Sequence, residues 1–237
     1  MTDWAARHAK PARKKRSASA GLLFALCALI VLIVLAAAFV ALVLWPRSAP
    51  VAPDAPTLPI TVGNVLFNVP PGAIRVAMQR RPGALERLDL AFLWPSLEPP
   101  DPKARPLPSE TAPPIDRLFI TVEPQTAALT PSDRVRSIYP RYLEETQVDG
   151  PDGLKVISFK DGSPYQNEDL FFDPAAQPGF VARCTRPGKA GVPGMCSLDR
   201  RIDTADIVVR FPSEWLTGWR AVNEGIDRVL GRMKAGG

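Results

Sequence analysis

The chain of 237 residues holds one histidine, His8, within its first ten positions. Beyond that point a Ser-His-Asp or Cys-His hydrolase would lack the imidazole that moves the proton. A zinc site there would have to be completed by cysteine and carboxylate alone. Cysteine is nearly as scarce: Cys27, Cys184 and Cys196 are the whole complement, and none stands in the C-x-x-C spacing that a redox dithiol prefers. No GxSxG, SxxK, HExxH, GxxxxGK[ST] or GxGxxG occurs. Nucleophile-elbow esterases, penicillin-binding-type acylases, zinc peptidases and nucleotide-binding folds therefore lack their marks. Asn64, Asn68, Asn167 and Asn223 all lack Ser or Thr two places on, so there is no glycosylation acceptor, which suits a bacterial envelope better than a secretory lumen.

What is present starts with a long apolar run. Gly21 to Trp45, GLLFALCALIVLIVLAAAFVALVLW, is 25 residues without a charge, where a bilayer core needs about 20. The tail before it carries Arg7, Lys10, Arg13, Lys14, Lys15 and Arg16 against Asp3, a bias that keeps the N-terminus cytoplasmic. A cleaved signal peptide would have a shorter apolar region ending in small residues, whereas Ala36–Ala38 are followed by seven more apolar residues. Lipoprotein processing wants a small residue before the cysteine, and Leu26 precedes Cys27. The reading is an uncleaved signal anchor that spans the inner membrane and meets the lipid bilayer through residues 21–45. The tail's net charge of +5 equals that of the whole chain, leaving 23 basic residues against 23 acidic in the remainder. The pI of 9.3 is thus a property of the tail and implies no nucleic-acid partner. Ala37 and Ala41 make a small-xxx-small pair, which by itself sets no oligomeric state.

Residues 1–20 are read as a basic cytoplasmic tail, 21–45 as the transmembrane helix, 46–59 as a proline-rich spacer, and 60–237 as one periplasmic domain. In the spacer Pro50, Pro53, Pro56 and Pro59 recur every three residues. That is the polyproline II period, long enough to hold a domain about 40 Å from the bilayer.

The exported part reads as α+β, with an antiparallel sheet and a long C-terminal helix. ITVGNVLFNVP sets two alternating runs around Gly63-Asn64, a two-residue hairpin signal. Glu86–Trp94 and Arg117–Glu123 alternate as half-buried strands. Between them PSLEPPDPKARPLPSETAPP has eight prolines in twenty residues, an exposed loop because proline lacks the N–H that sheets require. A helix is expected from Thr130, with Pro131 at its first position and Asp133 in its first turn, continuing toward Glu145 but broken at Pro140. Strands are expected at 154–159, 168–172, 180–184 and 206–211. Ser213 should cap a closing helix whose apolar stripe is Trp215, Trp219, Val222, Ile226, Val229 and Met233.

In an oxidising compartment Cys184 and Cys196, flanking a glycine- and proline-rich loop, should form a disulfide across a hairpin neck. No metal or cofactor is called for. Carboxylate chemistry survives the absence of histidine, since a glycosidase needs only two acids about 5–9 Å apart. Glu86, Asp89, Glu123, Glu144, Glu145, Glu168 and Asp169 are its candidates. Candidate contact surfaces are the proline-rich loop 95–114 and the cysteine hairpin, represented by Pro99, Pro100, Pro102, Arg186 and Lys189, because loops on a rigid scaffold tend to carry function.

The order GNVLFNVPPGAIR, RLDLAFLWPSLE, FVARC and FPSEWLTGW resembles a family of single-pass inner-membrane proteins of proteobacteria to which no activity is assigned. The resemblance covers most of the exported domain and brings no catalytic residue with it. The expected function is non-enzymatic: a periplasmic domain that binds another envelope protein or the cell wall. The alternatives are a periplasmic immunity or inhibitor protein and, less favoured, a carboxylate-based murein glycosidase.

Overall fold

In a computed structural model, residues 18–44, 52, 54–101, 114–126, 128–175, 179–186 and 194–234 are described. The chain divides into two compact units, Met1–Ser48 and Ala49–Gly237. In the first, helix α1 (Ala18–Leu44) contains a stretch, Leu23–Val40, long and apolar enough to cross a membrane. Its 27 residues rise about 40 Å, more than the ~30 Å of a hydrocarbon core.

The second unit is α+β. Strands β1 (Leu58–Val62) and β2 (Val65–Val69) pair antiparallel across Gly63-Asn64. Both loop residues have positive φ, 55° and 68°, the turn whose twist suits a two-residue hairpin. A two-residue strand β3 (Gly83–Ala84) adds a short parallel pair to β1. The main sheet is antiparallel throughout and has eight strands. They are β4 (Leu88–Leu93), β5 (Arg117–Pro124), β6 (Leu143–Asp149), β7 (Lys155–Phe159), β8 (Glu168–Phe172), β9 (Val181–Thr185), β10 (Met195–Ile202) and β11 (Ala205–Pro212). Across the sheet they run β4-β5-β11-β10-β9-β8-β7-β6.

Residues opposite one another in an antiparallel pair share a face, so the register separates two cores. Leu90, Ile120, Val209 and Leu198 align across β4, β5, β11 and β10 on one face. With the β1–β2 hairpin and helix α3 (Trp219–Met233) they form the main core, in which Phe67, Ile207 and Ile226 are fully buried. On the opposite face, Leu170 of β8 and Phe159 of β7 pack with Tyr139 into a smaller core. Helix α2 (Pro131–Ser137) and the 3-10 turn Tyr139–Arg141 lead into it.

Several sequence expectations change. The predicted strand Glu86–Trp94 shortens to β4, and Leu88 to Phe92 are buried on both faces rather than one. The chain from Ile74 crosses its outer side: Ile74 bridges Leu90, and the Arg75 N–H donates to the Asp89 carbonyl at 2.9 Å. The helix from Thr130 ends at Ser137, after the two turns that Pro140 allows as expected, but Leu143–Glu145 belong to edge strand β6, to which β7 offers a ladder. Ser213 caps nothing: Ser213–Gly218 is a 3-10 turn without a side-chain cap, and α3 starts at Trp219. Of the expected stripe, Trp219, Val222, Ile226, Val229 and Met233 are buried on α3, whereas Trp215 falls in the 3-10 turn and is half-buried. The proline-rich loop is not wholly exposed, since Leu97 is buried and its carbonyl accepts from Arg232 at 3.0 Å.

Candidate functional site

Strands β9 and β10 are paired only at Cys184–Cys196 and Arg183–Ser197. There the ladder stops although both strands continue. The disulfide Cys184–Cys196 sits on this seam and ties β10 to β9, both of which bury side chains in the main core. Next to the seam lies a groove of about 1540 Å³, walled by β7–β9, β10, the 130–139 segment and the first turns of α3.

Each wall is fixed by local chemistry. Thr130 caps α2: its Oγ1 accepts from the Asp133 N–H at 3.1 Å, and Asp133 Oδ2 accepts from the Thr130 N–H at 3.3 Å. The Thr130 hydroxyl, with help from Arg136, holds the Asp133 carboxyl down at about 2. Arg134 reaches from α2 to Asp199 of β10 at 3.0 Å. Arg183 pairs with Glu168 at 2.8 Å and lies over the rings of Tyr165 and Tyr139, at 5.1 and 5.8 Å. Burial pushes the Tyr139 hydroxyl up, with Arg183 pulling the other way. On the α3 side Trp219 Nε1 donates to the Asp152 carbonyl at 3.1 Å, while Arg220 covers the Trp219 ring and pairs with the Asp152 carboxylate. Apolar wall comes from Ile157, Leu170, Phe172, Phe180 and Val181. The result is a mixed surface of arginine, aromatic and aliphatic groups. Among the described residues no group of three or more His, Cys, Asp or Glu could hold a metal ion.

None of the seven candidate carboxylates lines this groove. Asp89 and Glu123 meet through Arg87, which donates to both, and Asp89 also accepts from Gln79 and Thr121, each at 3.1 Å. Arg87 holds the Asp89 carboxyl below the usual range, the opposite of what a general acid needs. Glu168 is taken by Arg183, and Asp169 by Ser158 at 2.8 Å and Arg186 at 3.0 Å. Glu86, Glu144 and Glu145 are exposed. Of the candidate contact residues, Pro99 and Pro100 are half-buried and Arg186 is exposed but engaged with Asp169. Pro102 and Lys189 lie outside the described residues. The groove residues themselves were not singled out by sequence. The signals available were Arg200, in a strand whose other inward positions, Cys196, Leu198 and Ile202, are apolar, and the polar flank Arg220, Asn223, Asp227 at helical spacing.

No family model matches the chain, and no curated protein matches it in sequence. Two solved structures align with the chain. One is Smlt3025, an immunity protein of the Stenotrophomonas maltophilia type IV secretion system, with a TM-score of 0.53 and 15% identity over 77% of this chain and 94% of that one. The other is the iron-regulated outer membrane lipoprotein FrpD of Neisseria meningitidis, with a TM-score of 0.42 and 10% identity over 78% of this chain and 97% of that one.

Proposed function

We propose that this is a single-pass inner-membrane protein, N-terminus cytoplasmic, whose periplasmic domain binds and neutralises a protein toxin in the manner of an immunity or inhibitor protein. The groove carries the proposal. It is large and open, it stands on a stapled sheet, and Arg136, Arg183, Arg200, Arg201 and Arg220 on its lining are of a type enriched where proteins meet proteins. Among the acids that line it, Asp133 and Asp199 are ion-paired and Glu224 and Asp227 are exposed, which supports binding as the domain's role. The fold shared with an immunity protein agrees with this function, and the anchor and spacer would keep the domain where an incoming toxin arrives. Binding to a resident envelope protein or to the cell wall is the competing function, and one experiment separates the three. The full-length chain, tagged and solubilised from its native host, is expected to co-purify with one protein that kills when exported alone and is tolerated when this chain is co-expressed. A stable partner that is harmless would make the chain an envelope-protein binder. Recovery of murein fragments in place of a protein would overturn the proposal in favour of wall binding.

A further inference from the structure

Among the guanidinium groups lining the groove, Arg200 has a distinct environment. Arg136 meets Asp133 at 2.6 Å, Arg183 meets Glu168 at 2.8 Å, Arg201 meets Asp206 at 2.6 Å, and Arg220 meets Asp152. Arg200 has no carboxylate at that range. Its Nη2 donates to Asn223 Oδ1 at 2.6 Å, its Nη1 reaches only the Asp199 carbonyl at 3.4 Å, and the nearest carboxylate, Asp227, is 4.0 Å from Nε. The side chain is 27% exposed, and burial weakens its hold on its proton. A guanidinium stays charged and offers five N–H donors in a planar fork. Left half-desolvated with an amide as its best acceptor, it is an incompletely neutralised charge at a mouth that solvent and a partner can reach.

The surroundings narrow what could complete it. Asp199, Glu224 and Asp227 also line the groove, so a run of phosphates would meet like charge, whereas a single carboxylate needs only the one fork. The half-buried Ile157, Phe172 and Val181 of the wall call for apolar side chains beside that carboxylate. We infer that the groove takes a segment of the protein partner that sets one aspartate or glutamate on Arg200 and flanking apolar side chains on this wall. This rests on the protein-binding function proposed above.

The test uses the full-length chain in its native envelope with a photo-crosslinking residue at one of two exposed positions: Glu224, which lines the groove, or Met78, which does not. The expected result is a cross-link from Glu224 to one protein, in a peptide containing Asp or Glu, with yield falling at least tenfold in Arg200→Gln and partly retained in Arg200→Lys. Asn223→Asp guards against a variant that merely fails to fold. It supplies Arg200 with an internal carboxylate in place of the amide, so it should raise the melting temperature while cutting the cross-link at least tenfold. A Glu224 cross-link undiminished by Asn223→Asp, one to a peptide without an acid, one to a second copy of the chain, or one from Met78 alone would overturn the assignment to Arg200 and leave protein binding standing. No protein cross-link from either position would overturn the proposed function and this inference together.

Discussion

Gly225 lies on the buried side of α3, where an added Cβ would stand 2.7 Å from Trp94 Cζ3 and 3.5 Å from Leu97 Cδ2. Trp94 has little room to yield, because its ring stacks on Trp215 with centroids 5.4 Å apart. Alanine gains about 1 kcal/mol of helix propensity over glycine, but overpacking a filled core costs about 1–3 kcal/mol. Gly225→Ala should therefore destabilise by about 1 kcal/mol and lower the melting temperature by about 2–4 °C; a raised melting temperature would show that the tryptophan can move. Asp133 carries a pH signature of its own. Its carboxyl is held at about 2 in the folded protein against an ordinary 3.8, so its stabilising effect is complete above pH ~4 and disappears as pH falls through about 2. Asp133→Asn should be less stable than the wild type at pH 6, with the gap closing by pH 2. Urea unfolding at the two pH values checks this, and a gap that persists in acid would contradict the capping role.

At the scale of elements, the seam between β9 and β10 is where the ladder of the main sheet is shortest. Two residue pairs join the strands, and the disulfide spans a sequence separation of 12, a loop length for which cross-linking contributes roughly 3 kcal/mol in the chain-entropy model. Cys184→Ser should lower the melting temperature under non-reducing conditions and speed amide exchange in β6–β9 more than in β4, β5 and β11. Uniform acceleration across the sheet would mean that the two halves open together. The elements differ in how far sequence foretold them, and the reasons are local. The β1–β2 hairpin was legible because Gly63-Asn64 accepts the positive φ that its turn demands. The disulfide was legible because compartment and spacing both favoured it. Strand β6 was hidden: LEETQVD has no apolar alternation, and it is a strand because β7 presents a ladder to it. The two-sided burial of β4 depends on the crossing of residues 74–79, a tertiary event that no period encodes. The groove depends on where a ladder stops, and β10, which carries Arg200, was not among the expected strands.

For the whole molecule, the cysteines near one end offer a readout of the topology proposed for the other. Six basic residues precede the apolar run, against one acid, and the basic bias near a span fixes which side its N-terminus takes. Cys184 and Cys196 oxidise stably only outside the reducing cytoplasm, so their state in the cell records where residues 49–237 reside. The wild-type chain should be fully oxidised when thiols are trapped by alkylation before lysis. Replacing Arg13, Lys14, Lys15 and Arg16 by glutamine leaves Arg7 and Lys10 against Asp3 and weakens the bias. A measurable fraction of chains should then insert the other way, with both cysteines alkylated and the domain protected from protease added to spheroplasts. The two readouts must move together. A reduced pair in a protease-accessible domain would separate oxidation from topology and remove the staple as a marker of export. If the four-residue variant stayed fully oxidised and accessible, orientation would be fixed by something other than the tail, and the spacer and folded domain would be the features to alter next.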